Sequence, residues 1–132
     1  MSLGRILLVE DDRFLRTACT ASLAQRGFAV DSAGDGEEGL RLARTHTYDL
    51  ILLDLLMPRK PGIEVLTELK ADASTRGVPV LILSNSSRRD DRERALELGA
   101  VGYYIKANLS LRKLAEEIEI LLRGPSAPKT DA

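Results

Sequence analysis

The 132-residue sequence is poor in the residues that commonly build metal, redox and hydrolytic sites: it has one cysteine, one histidine and no tryptophan. The lone Cys19 excludes an internal disulfide and any site that needs two cysteines. This cysteine usage is typical of a reducing compartment, so we expect a cytoplasmic protein in which Cys19 is a buried small hydrophobe. Because His46 is the single histidine and lies near the end of a predicted helix, a Ser-His-Asp hydrolase is poorly supported.

An excess of charge of one sign and long apolar segments are also absent. The 19 basic and 20 acidic residues leave a formal net charge of −1, which does not favour nucleic acid or an anionic membrane as a partner. No apolar run approaches the length of about 20 residues that spans a bilayer, and the N-terminus has no signal-peptide pattern. Since 44% of the residues are hydrophobic and the length suits one domain, we expect a small soluble intracellular domain.

Five short apolar runs predict β-strands, because each is too short for a helix, rich in aliphatic residues and bounded by charged, glycine or proline residues. The first, third and fourth runs do not alternate with polar residues, which is typical of parallel strands covered on both faces. In chain order the runs are 6–9, 28–30, 50–53, 78–83 and 103–105.

Amphipathic stretches after these runs predict five helices. Asp12 is the expected N-cap of the first helix, 13–26, and Gly27 is expected to end it. The second helix opens with a capping box at 35–38, the third has Pro61 in its first turn, and the others cover 88–98 and 110–122. The apolar residues assigned to the inner face of the first helix are Phe14, Leu15, Ala18, Leu23 and Ala24.

A strand followed by a helix, five times over, indicates the α/β class with a doubly wound, five-stranded parallel sheet. The order of the strands within that sheet does not follow from the sequence. We expect one domain over residues 1–123, followed by a disordered C-terminal tail at 124–132.

Polar residues follow four of the predicted strands, and they should meet at one edge of the sheet because parallel strands end on the same side. Glu10 and Asp11 follow the first strand, Asp54 the third, Ser84 the fourth and Lys106 the fifth. Two carboxylates about 4 Å apart repel by about 4 kcal/mol at an effective dielectric near 20, so such a cluster favours a bound cation. Mg²⁺ suits it, since this ion binds carboxylate and phosphate oxygens together.

These motifs in this order resemble the receiver domain of two-component response regulators. The matching segments are 6–12 (Ile-Leu-Leu-Val-Glu-Asp-Asp), 54–58 with its Met-Pro turn and the following Gly62, then Ser84, and 102–106 (Gly-Tyr-Tyr-Ile-Lys). The resemblance covers about residues 4–123 and implies the flavodoxin-like (βα)5 receiver fold.

The resemblance implies a phosphorylation site that uses Mg²⁺ as its cofactor. Asp54 would be the phosphoacceptor. Asp11 would bind the metal directly and Glu10 mostly through water, while Asp54 and the backbone carbonyl of Leu56 would be further metal ligands.

The same resemblance implies a signalling function. Ser84 and Lys106 would bind phosphoryl oxygens, and Tyr103 would be an aromatic switch whose rotamer follows Ser84. A sensor histidine kinase or a phosphotransfer protein would supply the phosphoryl group. The surface of the fourth helix, fifth strand and fifth helix would signal to a protein target, to a missing output domain or to a second copy in a homodimer. The domain would not be an enzyme beyond assisting its own phosphotransfer and dephosphorylation, and would contact neither nucleic acid nor membrane.

Three other functions remain open for a sheet of this kind. An aspartyl-phosphate phosphatase would need a second aspartate two residues after the nucleophile, where this chain has Leu56. A flavin- or nucleotide-binding module is disfavoured by the lack of a glycine-rich phosphate loop and of tryptophan. A phosphorylation-independent interaction domain is disfavoured because Asp54, Lys106 and the acidic pair are all intact.

Three residues depart from the usual receiver pattern. Ala107 stands where proline is common, which makes a cis peptide bond after Lys106 energetically unfavourable. Asn85 replaces a small residue beside Ser84 and is expected to narrow access to the site. Leu56 places an apolar side chain where a polar one could position water, which predicts slow loss of a phosphoryl group from Asp54.

Overall fold

The computed structural model describes residues 3–123, in which strands and helices alternate from end to end. The predicted tail at 124–132 lies outside the described residues. In chain order the elements are β1 (Gly4–Val9), α1 (Arg13–Gln25), β2 (Phe28–Ala33), α2 (Gly36–Thr45), β3 (Leu50–Asp54), α3 (Gly62–Ala71), β4 (Val80–Ser84), α4 (Arg89–Glu97), β5 (Gly102–Ile105), a 3-10 turn (Lys106–Asn108) and α5 (Leu111–Arg123). None of the helices within residues 3–123 is long and apolar enough to cross a membrane.

The five strands form one parallel sheet in the order β2-β1-β3-β4-β5, which confirms the predicted fold class. β3 and β4 are buried along their whole length, and β1 is buried from Ile6 to Val9. This burial on both faces explains why these three strands read as continuous aliphatic runs. From β1 the chain first adds β2 on one side and then adds β3, β4 and β5 on the other. A crevice therefore forms between β1 and β3, beyond the carboxyl ends of those two strands.

Successive residues of each strand point to opposite faces, which divides the apolar core into two layers. On one face Leu7 and Val9 of β1 pack with residues of α2 and α3. On the other face Ile6 and Leu8 pack with residues of α1 and α5. The sheet is therefore covered by helices on both faces, and the polar residues lie beyond the apolar part of the strands.

The apolar face predicted for α1 is wrong at three positions, which are exposed: Phe14, Ala18 and Ala24. The helix packs instead through Cys19 and Leu23, with Leu15 partly buried beside them. These residues follow a spacing of four and therefore share one narrow helix face, whereas a neighbouring position is turned away by about 100°. Burial raises the pKa of the Cys19 thiol to about 11, in line with its predicted role as a small hydrophobe.

The predicted helix caps are present. The Asp12 carboxylate accepts a hydrogen bond from the Leu15 N–H at 3.1 Å at the start of α1. Gly27 ends α1 with a φ of +102°, a left-handed conformation that favours glycine. Pro61 differs from its prediction, because it precedes α3 as the N-cap residue rather than lying within the first turn. β2 is also longer than predicted, since an edge strand tolerates polar residues such as Ser32.

Candidate functional site

The carboxyl ends of β1 and β3 bring two carboxylates from distant parts of the chain together. Val9 of β1 is paired with Leu53 of β3, so Glu10 and Asp54 follow neighbouring positions of adjacent strands. Both side chains are buried, with 0% of Glu10 and 1% of Asp54 exposed, whereas Asp11 lies at the surface. Carboxylate oxygens of these three residues lie within 4.8 Å of one another. The structure therefore assembles the acidic group that the sequence predicted.

Lys106 places its ammonium group between the two buried carboxylates. It follows β5 directly, and Nζ lies 2.9 Å from Glu10 Oε1, 3.0 Å from Glu10 Oε2 and 3.1 Å from Asp54 Oδ2. The structure thus pairs Lys106 with both buried acids. One positive charge faces two buried negative groups, so the local charge remains negative when both carboxylates are ionised.

The electrostatics of the site follow from this imbalance. The pKa of Asp54 is raised from 3.8 to about 7, chiefly by burial and then by the negative charge of Glu10, against the opposing effects of Lys106 and of the Leu56 N–H. That N–H donates to Asp54 Oδ1 at 3.2 Å. Burial alone would lower the pKa of Lys106, but its hydrogen bond to Glu10 and the charges of both carboxylates outweigh burial and raise it.

The donor set fits a hard divalent cation. Within residues 3–123, the buried side-chain oxygens that lack a hydrogen bond are Glu10 Oε1 and Asp54 Oδ2, although Lys106 lies at ion-pair distance from both. One ammonium group cannot neutralise two buried carboxylates, and a divalent cation with oxygen ligands would supply the missing positive charge. The exposed Asp11 offers a third carboxylate on the solvent side. All three potential ligands are oxygens, the type that Mg²⁺ prefers.

Ser84 lies on the other side of Asp54, at the end of the next strand. Asp54 is paired with Leu83 of β4, and Ser84 follows it, fully buried. The Ser84 hydroxyl oxygen accepts a hydrogen bond from the Ser86 N–H at 3.0 Å. A hydroxyl group thus stands at the same edge of the sheet as the acids and Lys106.

Tyr103 on β5 is half-buried and hydrogen-bonded to the loop between β4 and α4. Its hydroxyl donates to the backbone carbonyl of Ser86 at 2.9 Å. Ser86 therefore contacts both of the residues that the sequence predicted as switch elements, Ser84 and Tyr103. Ser86 was not predicted from the sequence, although a loop serine commonly accepts a hydrogen bond from the backbone N–H two residues on, as it does here from Arg88.

Three further residues shape the acidic edge: Asp12 and Gly62, which the sequence had singled out for other reasons, and Arg16, which it had not. The Arg16 guanidinium of α1 donates to the Glu10 carbonyl at 2.8 Å, and the Asp12 N–H donates to Glu10 Oε2 at 2.9 Å. Gly62 lies so close to β3 that a Cβ atom there would be 2.2 Å from the Asp54 carbonyl oxygen. The backbone around both buried carboxylates is thus closely constrained.

Comparison with known proteins identifies the family. Residues 6–119 match the response regulator receiver domain. The chain belongs to the response regulator receiver family. It is 38% identical over 117 residues to the transcriptional regulatory protein PdtaR of Mycobacterium tuberculosis, covering 88% of this chain and 55% of that protein. It is 37% identical to a gliding motility regulatory protein of Myxococcus xanthus, covering 89% of this chain and 15% of that protein. The chain therefore spans about half or less of the length of these relatives.

Solved structures of receiver domains share the fold. The phosphorylated cyanobacterial phytochrome response regulator RcpA superposes with a TM-score of 0.81 at 34% identity, covering 96% of this chain and 99% of that one. The receiver domain of the Francisella response regulator 1452 gives a TM-score of 0.84 at 28% identity, with coverage of 91% and 97%. Both likenesses confirm the resemblance read from the sequence. As a receiver domain, the chain is a signalling domain of a family whose general role is to accept a phosphoryl group at an acidic, Mg²⁺-binding pocket.

Proposed function

We propose that this receiver domain is phosphorylated on Asp54 and that the phosphoryl group is bound by Lys106 and Ser84. The observation that carries the proposal is the position of Asp54, which is buried next to Glu10 and Lys106 at the edge of the sheet where the Ser84 hydroxyl ends β4. A solvated surface aspartate would have none of these neighbours.

The chemistry suited to this arrangement is phosphoryl transfer from a phosphohistidine. An Asp54 carboxylate oxygen attacks phosphorus, the P–N bond breaks, and the imidazole leaves with the electron pair and takes up a proton. Such a transfer requires alignment and neutralisation of charge more than a general base. Lys106 supplies a positive charge beside Asp54, and Ser84 supplies a hydroxyl that can donate to a phosphoryl oxygen.

The carboxylates of Glu10, Asp11 and Asp54, together with the backbone carbonyl of Leu56, are the residues proposed to hold Mg²⁺. When bound, the ion supplies charge neutralisation and orients phosphoryl oxygens. Two buried carboxylates, Glu10 and Asp54, share the single positive charge of Lys106, and this excess of negative charge supports the assignment. The exposure of Asp11 gives an ion a route from solvent.

Phosphorylation is proposed to change the surface formed by α4, β5 and α5, with Ser84 and Tyr103 as the switch residues. The phosphoryl donor would be a sensor histidine kinase or a phosphotransfer protein in the cytoplasm. The receiver of the signal would be a protein target, an output domain of a longer chain or a second copy, rather than nucleic acid directly. The proposed domain boundary is 1–123.

Intact-mass measurement with acetyl phosphate and Mg²⁺ tests the proposal. The wild type is expected to gain one phosphoryl group, and Asp54→Asn to gain none. Asp90→Asn is the matched control, because Asp90 is an exposed aspartate on α4 outside the site, and it should be modified like the wild type. A phosphoryl group that persists in Asp54→Asn would place the acceptor elsewhere. No modification of any variant would favour a phosphorylation-independent interaction domain.

A further inference from the structure

We propose that Arg59 is a positioning residue: its ion pair with Asp35 holds a strained turn in the loop between β3 and α3, and this turn fixes the Leu56 carbonyl. The inference rests on the proposed function, in which the Leu56 carbonyl is a ligand of Mg²⁺ beside Asp54. Its observations are the backbone conformation of Arg59 and the contacts of its side chain, neither of which belongs to the acidic site itself.

The backbone of Arg59 has an unusual conformation for a residue with a side chain. Its φ of +69° is the one positive value among the non-glycine residues of the described range 3–123. The Lys60 N–H donates to the Pro58 carbonyl at 2.8 Å, so residues 58–60 form a three-residue turn, called here the strained turn. A turn of this kind with a positive φ at its centre is rare, because the side chain crowds the backbone. Such a conformation persists only where neighbouring contacts hold it.

Contacts with the start of α2 hold the strained turn. The Arg59 guanidinium donates to Asp35 Oδ2 at 2.7 Å. Asp35 is itself fixed, because it is the N-cap residue of α2 and its Oδ1 accepts from the Glu38 N–H at 2.9 Å. The turn also packs closely at this point, since a Cβ atom at Gly36 would lie 2.5 Å from the Lys60 carbonyl oxygen. An ion pair and a close backbone contact thus attach the turn to one end of α2.

The ion pair bridges the loops that follow two strands on either side of β1. Asp35 follows β2 and Arg59 follows β3, and β1 lies between these strands in the sheet. Glu10 follows β1 directly, so the acidic site lies at the same end of the sheet. Leu56 precedes the strained turn by two residues, and its N–H donates to Asp54 Oδ1 at 3.2 Å. The position of the turn therefore bears on the backbone next to Asp54.

The loop between β3 and α3 is closed at its base, which leaves the strained turn as the part held by side chains. At the base, the Gly62 N–H donates to the Leu55 carbonyl at 2.8 Å. The Lys60 ammonium pairs with Glu68 of α3, and the Arg59 guanidinium holds the turn to α2. Without the second ion pair the turn would relax toward a negative φ, and the neighbouring backbone would move with it.

The sign of the effect on Mg²⁺ binding separates positioning from simple electrostatics. Arg59 is a positive charge near an acidic site, so Coulomb repulsion alone predicts that its removal tightens the binding of a cation. Positioning predicts the opposite, because a loop carbonyl that is no longer held in place must be ordered when the ion binds. Since 64% of the Arg59 side chain is exposed, the loss is expected to weaken binding by about twofold to fivefold.

Calorimetric titration with Mg²⁺ tests the proposal on the wild type and on variants of the ion pair. Arg59→Met removes the charge and the donors, and it is expected to raise the dissociation constant by that factor. Arg59→Lys keeps the charge and should restore most of the wild-type affinity. Arg41→Met is the matched control, because Arg41 is also 64% exposed but pairs within α2, with Glu38 at 3.9 Å. This control should not raise the constant.

A double-mutant cycle with Asp35→Asn assigns the effect to the ion pair. Asparagine is also a good N-cap residue, so this variant retains the start of α2 and loses the charge. In that background Arg59→Met should weaken Mg²⁺ binding no further, because the pair is already broken. Equal weakening in both backgrounds would overturn the proposal, and so would tighter binding by Arg59→Met alone.

Hydrogen exchange in EDTA gives a second result that does not depend on the metal. Arg59→Met should raise the exchange of the Lys60 N–H, which closes the strained turn, about fivefold. Arg59→Lys and Arg41→Met should exchange like the wild type. Unchanged exchange in Arg59→Met would contradict the role of the ion pair, even if Asp54 is phosphorylated normally. If the wild type binds no Mg²⁺, the proposed metal site fails, and the exchange of Lys60 still decides whether Arg59 holds the turn.

Discussion

At the scale of single residues, the environment of Asp54 opposes the ionisation of its carboxyl group. The proposed function requires it to be an ionised nucleophile, yet it is buried beside another carboxylate, Glu10. Lys106 offsets part of the repulsion, but its single positive charge cannot neutralise both buried carboxylates. The consequence is a site that is unfavourable when empty and that becomes favourable when a cation or a phosphoryl group completes it.

The burial of Asp54 predicts that the free energy of unfolding depends on pH in the absence of divalent ions. The pKa of Asp54 in the folded protein is about 7, above its ordinary value of 3.8. Because folding favours the protonated carboxyl, Asp54 does not lower the free energy of unfolding below about pH 4. As the pH rises through about 7, the carboxyl ionises in the buried site and the free energy of unfolding falls. Replacing Asp54 by Asn removes that loss, so the variant should be more stable than the wild type at pH 8, by about 1–3 kcal/mol. The advantage should shrink toward pH 5.

Urea unfolding in EDTA at several pH values measures this difference. Asp90→Asn is the control, because its side chain is exposed on α4 and its effect should not vary in the same way. Parallel stability curves for the wild type and Asp54→Asn would show that the buried carboxylate does not carry the predicted penalty.

Leu56 provides a second prediction at this scale. Its side chain is 64% exposed two residues after Asp54, so an apolar group borders the site instead of a polar one that could hold a water molecule. We expect Leu56→Asn to shorten the lifetime of the phosphoryl group on Asp54 several-fold. The half-life is read by intact mass after removal of acetyl phosphate. Val101→Asn, another exposed apolar residue, should leave it unchanged; equal half-lives for Leu56→Asn and the wild type would contradict the prediction.

At the scale of elements, the connection between β3 and α3 is closely packed. The Gly62 N–H donates to the Leu55 carbonyl at 2.8 Å, which folds the loop back against the strand that carries Asp54. A side chain at position 62 has no room, since its Cβ would lie 2.5 Å from the Leu55 Cα. The helix and the strand therefore fix each other's position directly behind the acidic site.

Gly62→Ala is expected to lower the free energy of unfolding by about 1–3 kcal/mol, the usual cost of overpacking. Gly77→Ala is a natural control, because nothing lies within 4 Å of a Cβ atom at that position. Thermal and urea unfolding of both variants measure the effect. If the two substitutions prove equally mild, the loop after β3 is more compliant than its contacts indicate.

At the scale of the whole molecule, the acidic site exists only when the sheet is complete. Glu10 follows β1 and Asp54 ends β3, and Lys106 reaches them from the far end of the sheet after β5. These groups are tens of residues apart along the chain, so they are close in space only in the folded protein. The unfolded chain therefore has no comparable site. Binding at this edge must therefore stabilise the entire domain.

Mg²⁺ is accordingly expected to raise the melting temperature. A ligand present at about 100 times its dissociation constant adds about 2.7 kcal/mol when it binds the folded state alone. The rise should be reduced in Asp11→Asn and should be retained in Asp90→Asn, an exposed aspartate outside the site. Thermal unfolding in EDTA and in increasing Mg²⁺ measures it, and an identical response of all three proteins would assign the effect to another site.

Many features of the fold could be predicted from local sequence patterns. Strand and helix alternation follows from apolar periodicity, and the caps at Asp12 and Gly27 follow from side-chain and backbone chemistry within a few residues. The residues at the carboxyl ends of the strands were predictable for the same reason, because parallel strands must end on one side of a sheet. These properties depend on neighbours in the chain.

Other features were decided only by tertiary structure, because they depend on which distant groups become neighbours. Strand order makes β1 and β3 adjacent, and only then does one ammonium, that of Lys106, face both Glu10 and Asp54. Phe14 is 89% exposed, because the sheet covers only a narrow face of α1 and not the wider apolar face that the sequence predicted. The local sequence thus determines where the helices and strands of this protein form. The contacts between distant strands determine the balance of charge at its acidic edge.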